Sequence, residues 1–528
     1  MSSNKMEPEL PNGWCWATVG DTGRYINGFA FKPEHREPTG RPIVRIQNLT
    51  DPEKPLNRTS LAVPDDFCVE TGGMLVSWSA TVDVFVWNRE PAFVNQHIFK
   101  VVPDENLVDR TFLFYWLKVA IDQLLDSEHL HGSTMKHINR GPFMAHRIPL
   151  PPLPEQQRLA DKLEELLSDL DAGVAELKAA QRKLAQYRQS LLKAAVDGTL
   201  TADWRAAHGA PQETGAGLLQ RILAERRARW EQKQLAKFAE QGKAPPKGWQ
   251  AKYPEPVAPD LTDLPLVPEG WVWASLGQTA AETLIGLDRG QEHQSATGGV
   301  GYVKMNNISM DGGVDAENIV RIEANDEEMR RYQVAKRDLL FNTRNSKELV
   351  GKVGLVRSLS GPTVYNNNLM RIRFDGAVTP EFACYQLCGP EFRGRMERVK
   401  KATTSVAAVY AKDLFPLAIA IPPLAEQAEI ARRLDAVLLG VGRQEVAVQL
   451  SLKQSSAQRK NLLKAAFCGQ LVSQDPNDEP ASQLLARIRA AREQSPAPRG
   501  RRRAGSHPAP ATNPPTPTRR GRKAKEGA

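Results

Sequence analysis

At 528 residues the chain exceeds one ordinary domain, and its length suits roughly three or four units. Hydrophobic residues make up 41%, enough for real cores, while no apolar run approaches the roughly 20 residues that span a bilayer, so a helical membrane anchor is excluded. Nine Lys/Arg and one acid, Glu526, lie between Ser495 and Ala528 and carry +8 of the formal +9, so net charge says little about the rest, where DNA affinity would need local patches. Met1–Leu10 is polar without a signal-peptide core, and a soluble, non-exported chain is expected. The five cysteines form no CxxC pair; Cys384 and Cys388 read as buried thiols of a reducing compartment rather than metal ligands.

In chain order, Leu10-Pro-Asn-Gly-Trp-Cys-Trp opens a first repeat, and Val267-Pro-Glu-Gly-Trp-Val-Trp opens a second 257 residues on. Trp14/Trp16 and Trp271/Trp273 alternate as in a strand after a Pro-Gly turn, with Trp14 and Trp271 as core anchors. Val44-Arg45-Ile46-Gln47-Asn48-Leu49 answers Val303-Lys304-Met305-Asn306-Asn307-Ile308. Both alternate, so Arg45, Gln47, Lys304 and Asn306 are expected on the non-core face of a strand. Leu75-Val-Ser-Trp-Ser-Ala-Thr81 sits opposite Leu340-Phe-Asn-Thr-Arg-Asn-Ser346, a short strand running into a polar turn. Val94-Asn95-Gln96-His97 matches Tyr365-Asn366-Asn367-Asn368 at an offset of 271. A helix is predicted around Thr111–Asp126 and its counterpart around Pro380–Leu387. The repeats thus read as strand-rich α/β (α+β) units.

A longer duplication follows. Pro149 to Gly198 returns without a gap as Ala420 to Gly469, with Pro151-Pro152-Leu153 becoming Pro422-Pro423-Leu424 and Glu155-Gln156 becoming Glu426-Gln427. In the first copy Leu159, Leu163, Leu166, Leu170, Val174, Leu177, Leu184, Tyr187 and Leu191 recur at three- and four-residue steps, the spacing of a coiled-coil seam. The second copy keeps Ile430, Leu434, Val437, Val441, Val448, Leu452 and Leu462, with a kink expected at Gly440 and Gly442. Each helix of roughly 43 residues, about 64 Å long, needs a partner, and the two copies are expected to pack as an antiparallel coiled coil. A charged helix over Leu218–Lys237 and a Pro-rich linker over Ala244–Pro268 separate the copies, and Leu484–Ile488 echoes Leu218–Ile222. The expected boundaries are 1–148 and 263–418 for the strand-rich domains and 149–200 and 419–470 for the long helices. Residues 201–262 form the charged helix and linker, 471–494 a short helix, and 495–528 a disordered basic tail.

The residues offer little for catalysis. No GxxxxGK[ST] cradles a nucleotide, and no GxGxxG forms a dinucleotide or S-adenosylmethionine pocket. Asn513-Pro-Pro-Thr516 lacks the aromatic residue of an amino-methyltransferase box, Glu176-Leu-Lys178 lies on the long helix, and His129, His131 and His137 belong to a Gly/Ser-rich stretch that reads as a surface loop rather than a metal site. Binding is better supplied. Arg45, Gln47 and Asn48 match Lys304, Asn306 and Asn307; Ser77, Ser79 and Thr81 match Asn342, Thr343, Arg344 and Asn345; Asn95, Gln96 and His97 match Asn366, Asn367 and Asn368. A further pair sets Lys136 of Gly132–Lys136 against Thr403–Ala407, preceded by Lys400 and Lys401. Arg and Lys suit guanine edges and phosphates, Asn and Gln suit adenine, and Ser/Thr serve either. Single Asn and Ser residues also cap turns. Two similar scaffolds carrying different polar residues at matched places would read two different half-sites.

The duplicated PPLPEQ/PPLAEQ lead-in with its LLKAAVDG/LLKAAFCG exit, the LPNGW/VPEGW openings and the SWSATVDVFVW…NQH segment resemble the specificity subunit of type I restriction–modification systems. The resemblance covers Leu10 to about Arg492. It implies two target recognition domains held apart by two conserved long helices, and a subunit that is itself non-catalytic. It further implies double-stranded DNA with a bipartite target, two modification subunits that methylate adenine with S-adenosylmethionine, and restriction subunits using ATP and Mg²⁺. A bacterial or archaeal cytoplasmic setting, and no membrane, follow from the same resemblance. No cofactor is expected on this chain. A self-contained methyltransferase or nuclease, and a structural coiled-coil adaptor, are the rival readings.

Overall fold

The computed structural model describes residues 9–126, 137–403 and 406–494. Seven helices of eight or more residues are described: α1 (Arg110–Asp126), α2 (Leu153–Val196), α3 (Gly215–Glu240), α4 (Pro380–Cys388), α5 (Pro390–Val399), α6 (Leu424–Phe467) and α7 (Ala481–Gln494). The chain divides into two compact units, and the division falls inside both 44-residue helices. The first unit comprises residues 1–170 and 457–528, the second residues 171–456.

In the first unit, β1 (Cys15–Thr18) opens the chain and is followed by β2 (Gly23–Asn27), β3 (Arg41–Val44), β4 (Asn57–Thr59) and β5 (Cys68–Val69). Next come β6 (Met74–Ser77), β7 (Asp83–Val86), β8 (Ala92–Val94), β9 (Ile98–Pro103) and β10 (Arg147–Leu150). One sheet has the antiparallel order β2-β9-β6-β7; a second runs β4-β3-β8-β5, with β3 and β8 parallel. β1 pairs only with β10, so the strand after the Trp14 turn closes on the strand that leads into α2. The core gathers Trp14, Phe112, Leu159, Leu163 and Leu167 with Ala466 and Phe467 of α6 and Leu484 and Leu485 of α7.

The second unit repeats this plan. It holds β11 (Val272–Ser275), β12 (Ala280–Ile285), β13 (Val300–Val303), β14 (Val320–Ile322), β15 (Leu339–Asn342) and β16 (Arg344–Asn345). These are followed by β17 (Val353–Leu355), β18 (Thr363–Tyr365), β19 (Leu369–Phe374), β20 (Lys401–Ala402), β21 (Ala407–Ala408) and β22 (Ala418–Ile421). Its sheets are β12-β19-β15-β17, β14-β13-β18 with β13 parallel to β18, and a small β16-β21-β20 sheet; β11 pairs with β22. Its core joins Trp271 and Phe382 to Leu192 and Ala195 of α2, Leu218 and Ile222 of α3, and Ile430 and Leu434 of α6. Cys384 and Cys388 are buried in it.

The duplicated PPLxEQ motif is a latch. Glu155 Oε2 accepts the indole N–H of Trp14 at 3.0 Å, and Glu426 Oε2 accepts that of Trp271 at 2.8 Å. Gln156 takes the Asp109 N–H at 2.8 Å and donates to Leu107 and Pro151 carbonyls; Gln427 does the same with Thr379, Ala377 and Pro422. Each latch is completed by chain leaving the other long helix. Gln474, past α6, donates to Glu155 at 3.2 Å, while Thr201 and Arg205, past α2, donate to Glu426. The two exit glycines, Gly198 and Gly469, have φ of +78° and +68°, which side chains resist. A Cβ there would also lie 2.4 Å from Pro268 and 2.3 Å from Pro11, the openings of the two repeats.

The long helices pack on each other within each unit. In the second, Arg188 of α2 pairs with Glu445 of α6 at 2.7 Å, while Leu192 further along α2 shares a core with Leu434 further back on α6, an antiparallel arrangement. Two positions differ from the expected seam. Leu167 and Leu192 are buried, whereas Leu166 and Leu191 are only half-buried. Leu159, Leu163 and Leu167 follow a four-residue step because the helix end serves a sheet-rich core as well as its partner helix, and a straight helix drifts away from a 3.5-residue seam. Leu170, Leu177, Leu184, Val448, Leu452 and Leu462 are half-buried, while Tyr187 and Val437 are exposed. α6 runs unbroken through Gly440 and Gly442.

Candidate nucleic-acid interface

In the first unit three polar segments converge where two sheets end. β3 and β8 finish together, and the Asn95 N–H donates to the Val44 carbonyl at 3.0 Å, setting Arg45 beside Asn95. The β6–β9 pairing ends at Ser77 and Ile98, and beyond it the Trp78 N–H donates to the His97 carbonyl at 3.1 Å. The Trp78 and His97 rings lie 4.6 Å apart, and the Trp78 indole donates to Asn27 Oδ1 at 3.1 Å. Ala80 and His97 hold φ of +59° and +74°, costly for residues with a Cβ and tolerated where the surroundings over-determine the turn. Gln47 and Thr81 are exposed; Arg45, Ser79, Asn95, Gln96 and His97 are half-exposed.

The strand expected over Val44–Leu49 is corrected. The chain leaves β3 at Val44 and turns into a short helix, Ile46–Thr50. Asn48 is the reason. Its Oδ1 accepts the Arg45 N–H at 3.2 Å and its Nδ2 donates to the Lys54 and Pro55 carbonyls, so the buried side chain builds the turn. Ser77 is likewise buried, its hydroxyl closing the hairpin onto the Thr81 and Asp83 carbonyls. Lys136, together with His129 and His131, lies outside the described residues.

The second unit builds the same junction from different residues. Asn366 donates its backbone N–H to the Val303 carbonyl at 2.9 Å, which brings Lys304 alongside. The strand expected over Val303–Ile308 is again a turn, here a 3-10 helix at Met305–Asn307. Buried Asn307 accepts the Lys304 N–H at 2.9 Å and donates to the Asn318 carbonyl at 3.0 Å. Asn342 is fully buried and donates to the Arg344 and Asn368 carbonyls; Asn345 donates to its Oδ1 at 2.9 Å. Thr343 binds the Asn368 carbonyl through both its N–H and its hydroxyl. Asn366, also buried, donates to the Tyr302 hydroxyl and accepts the Asn368 N–H. Burial raises the Tyr302 phenol and lowers the ammonium of Lys352, whose Nζ donates to the Met305 carbonyl at 2.7 Å.

These buried amides hold up an outer layer. Arg344 and Asn345 pair with Ala408 and Ala407, and Lys401 pairs with Ala408, so the hairpin β20–β21 lies against the 342–346 turn. Asn306, Arg344 and Lys401 are exposed, and Arg344 has no ion pair among the described residues. Lys304 donates to Gln294 at 2.8 Å, and Lys400 spends its ammonium on Glu397 and the Lys347 carbonyl. Asn367 is half-exposed. Two aromatic residues escaped the sequence reading as site residues. Trp78 stood in the SWSAT segment without a stated role, and exposed Tyr410, with Lys401 5.7 Å over its ring, becomes a neighbour only once β20 and β21 fold back. Among the described residues no cluster of three or more His/Cys/Asp/Glu is arranged to hold a metal, and no helix is long and apolar enough to cross a membrane.

Each unit therefore presents one rim of backbone-anchored polar side chains at matching strand ends. Residues 11–179 and 293–441 match the family model described as type I restriction modification DNA specificity domain. The type I restriction enzyme EcoKI specificity subunit of Escherichia coli strain K12 is 24% identical over 92% of this chain and 96% of that protein. The EcoBI specificity subunit of Escherichia coli is 22% identical over 92% and 93%. A solved chain from work on complex assembly and conformational transition of the type I R-M system shares the fold with a TM-score of 0.56, at 17% identity, covering 88% of this chain and 100% of that one.

Proposed function

Because the chain belongs to the type I restriction modification DNA specificity family, we propose that the first recognition domain (1–148) reads one half of a bipartite DNA target and the second (263–418) reads the other. The chain is a specificity subunit: it recognises DNA and leaves catalysis to its partners. Methyltransferase and restriction subunits are the partners such a subunit serves. Two modification subunits using S-adenosylmethionine, and restriction subunits using ATP and Mg²⁺, complete the proposed complex, which works in the cytoplasm. This chain itself needs no cofactor. Each target adenine would be flipped into a partner's site for methylation.

What supports assigning one half-site to each unit is the pair of rims. The same strand-end junction is built twice, and its outer residues differ: Arg45, Gln47, Thr81, Asn95, Gln96 and His97 in one, Lys304, Asn306, Arg344, Asn367 and Lys401 in the other. Buried Asn48, Ser77, Asn307, Asn342 and Asn366 act as supports that orient those residues. The test is to map methylated adenines genome-wide in cells carrying the chain, then repeat with Arg344→Ala and with Gln47→Ala/Gln96→Ala. Each variant should relax one half of the target and leave the other intact, a bidentate base contact being worth about 1–3 kcal/mol of discrimination. Methylation of DNA by the purified chain alone, or variants that leave both halves unchanged, would refute the reading.

A further inference from the structure

We propose that the outer half of α3 and the chain returning from it form a DNA-backbone arm, a sequence-independent contact separate from the base-reading rims. The inference rests on the DNA-recognition reading above. Between Arg226 and Lys252 stand eight Lys/Arg and only two acids, Glu231 and Glu240. This stretch lies outside the segments matched to the family, 11–179 and 293–441. Its net charge of +6 stands within residues 1–494, which together sum to only +1.

The structure separates these charges into two groups. At the root, α3 buries Leu218 and Ile222 in the core of the second unit, Arg226 donates to the Gly277 carbonyl at 2.7 Å, and Arg229 pairs with the buried Asp375. These charges are spent on docking. Beyond Arg229 the helix is braced by its own returning chain. Trp230 stacks on Trp249 with centroids 5.7 Å apart and meets Tyr253 edge-on at 5.4 Å, and Phe238 meets Trp249 at 5.9 Å. Arg227 adds a contact over the Tyr253 ring and an ion pair to Glu255. Around this stapled arm Lys233, Lys237, Lys243, Lys247 and Lys252 are all exposed, and none has an ion-pair partner among the described residues.

The chemistry selects the occupant. Lysines are point charges without a bidentate fork, suited to phosphates rather than to base edges. The arm's aromatic rings are used up in stacking on each other, which leaves none to stack unpaired bases and favours duplex over single strand. Lys233 and Lys237, one helical turn apart, stand about 6 Å apart along the axis and continue the Arg226–Arg229 stripe past the edge of the docked region. An arm rooted in the second recognition unit would hold that unit on DNA whatever the sequence beneath it.

The test uses the full chain with all five lysines changed to glutamine (K233Q/K237Q/K243Q/K247Q/K252Q) and a short DNA duplex of arbitrary sequence. Affinity is measured between about 50 and 200 mM salt. Five phosphate contacts contribute about 4.5 to the log–log salt slope, so over that range the unaltered chain should lose roughly a hundredfold or more affinity beyond what the variant loses. The corresponding Lys→Arg variant, which keeps the charge, should keep the slope. Equal slopes in the chain and the Lys→Gln variant, or loss of slope in the Lys→Arg variant, would overturn the arm. So would tight binding of polyglutamate by the unaltered chain alongside duplex binding that the Lys→Gln variant leaves unchanged, since that assigns the lysines to an acidic protein. A chain that shows no preference among duplexes, yet loses its salt slope in the Lys→Gln variant, would sink the recognition reading and leave the arm standing.

Discussion

Replacing Glu426 by alanine should loosen the second unit more than replacing Glu155 loosens the first. Both carboxylates are 1% exposed and both receive the opening tryptophan, but their other donors differ. Glu155 is met by neutral groups, Trp14 and Gln474, because Arg158 is turned to Asp478. Leaving such donors unsatisfied costs about 1–3 kcal/mol. Glu426 instead receives the Trp271 indole, the Thr201 hydroxyl at 2.7 Å and the Arg205 guanidinium. Breaking a buried ion pair costs about 3–5 kcal/mol. Arg205 is 24% exposed and keeps the Gly198 carbonyl at 2.7 Å, so the lower part of that range, about 3–4 kcal/mol, is expected. Hydrogen exchange read by mass spectrometry reports each unit separately. Amides of β11 and β22 should lose protection in Glu426→Ala by that amount, and amides of β1 and β10 in Glu155→Ala by less. Equal losses, or a larger loss in Glu155→Ala, would refute the view that the charged partner dominates the second latch. In methylation mapping, Glu426→Ala should weaken recognition of the second half-site before the first.

Gly215→Ala should detach α3, since its Cβ would fall 1.9 Å from the Ile421 carbonyl, whereas Gly217→Ala, with nothing nearer than 3.6 Å, should be tolerated; limited proteolysis of residues 215–240 separates them. Asn307→Ala should cost about 1–3 kcal/mol by stranding the Lys304 N–H and the Asn318 carbonyl, while the exposed neighbour Asn306→Ala leaves denaturant stability within about 0.5 kcal/mol. Acid should release α7. Burial works to raise the Asp21 and Asp104 carboxyls, but hydrogen bonds from Arg489 with Thr18, and from Arg492 with Asn106, outweigh it and hold both below their ordinary value. A depressed folded value stabilises above the unfolded one and is lost as pH falls through the folded one. Protection of α7 should therefore hold at neutral pH and fall below about pH 4, and Arg489→Ala/Arg492→Ala should flatten that dependence.

The duplication, the strand-rich repeats, the long helices and the family resemblance were all legible in the residues, because a gapless repeat and helical periodicity are local properties of a chain. The polar segments that form the rims were legible as well. Their division into buried supports and exposed rim was not: Asn48, Asn307 and Asn342 look like any turn asparagine until the partners of their amides are known. Alternation also misread Val44–Leu49 and Val303–Ile308 as strands, since one asparagine capping its own turn outweighs a four-residue pattern.

What the sequence determined by itself is that this chain is built twice and that its two copies differ where polar residues meet the ends of strands. Only the tertiary structure decided how each copy is closed. Glu155 waits for Gln474 and Glu426 for Arg205, while α7 completes the first core and α3 the second, so each unit is finished by the helix exit of the other repeat. Such contacts join residues up to 468 positions apart, as in the Arg489–Asp21 pair of α7, and no spacing along the chain encodes them. They arise because two amphipathic helices, each too long for one small domain to cover, bury their apolar faces against each other, and antiparallel packing carries the end of each helix to the other repeat's core.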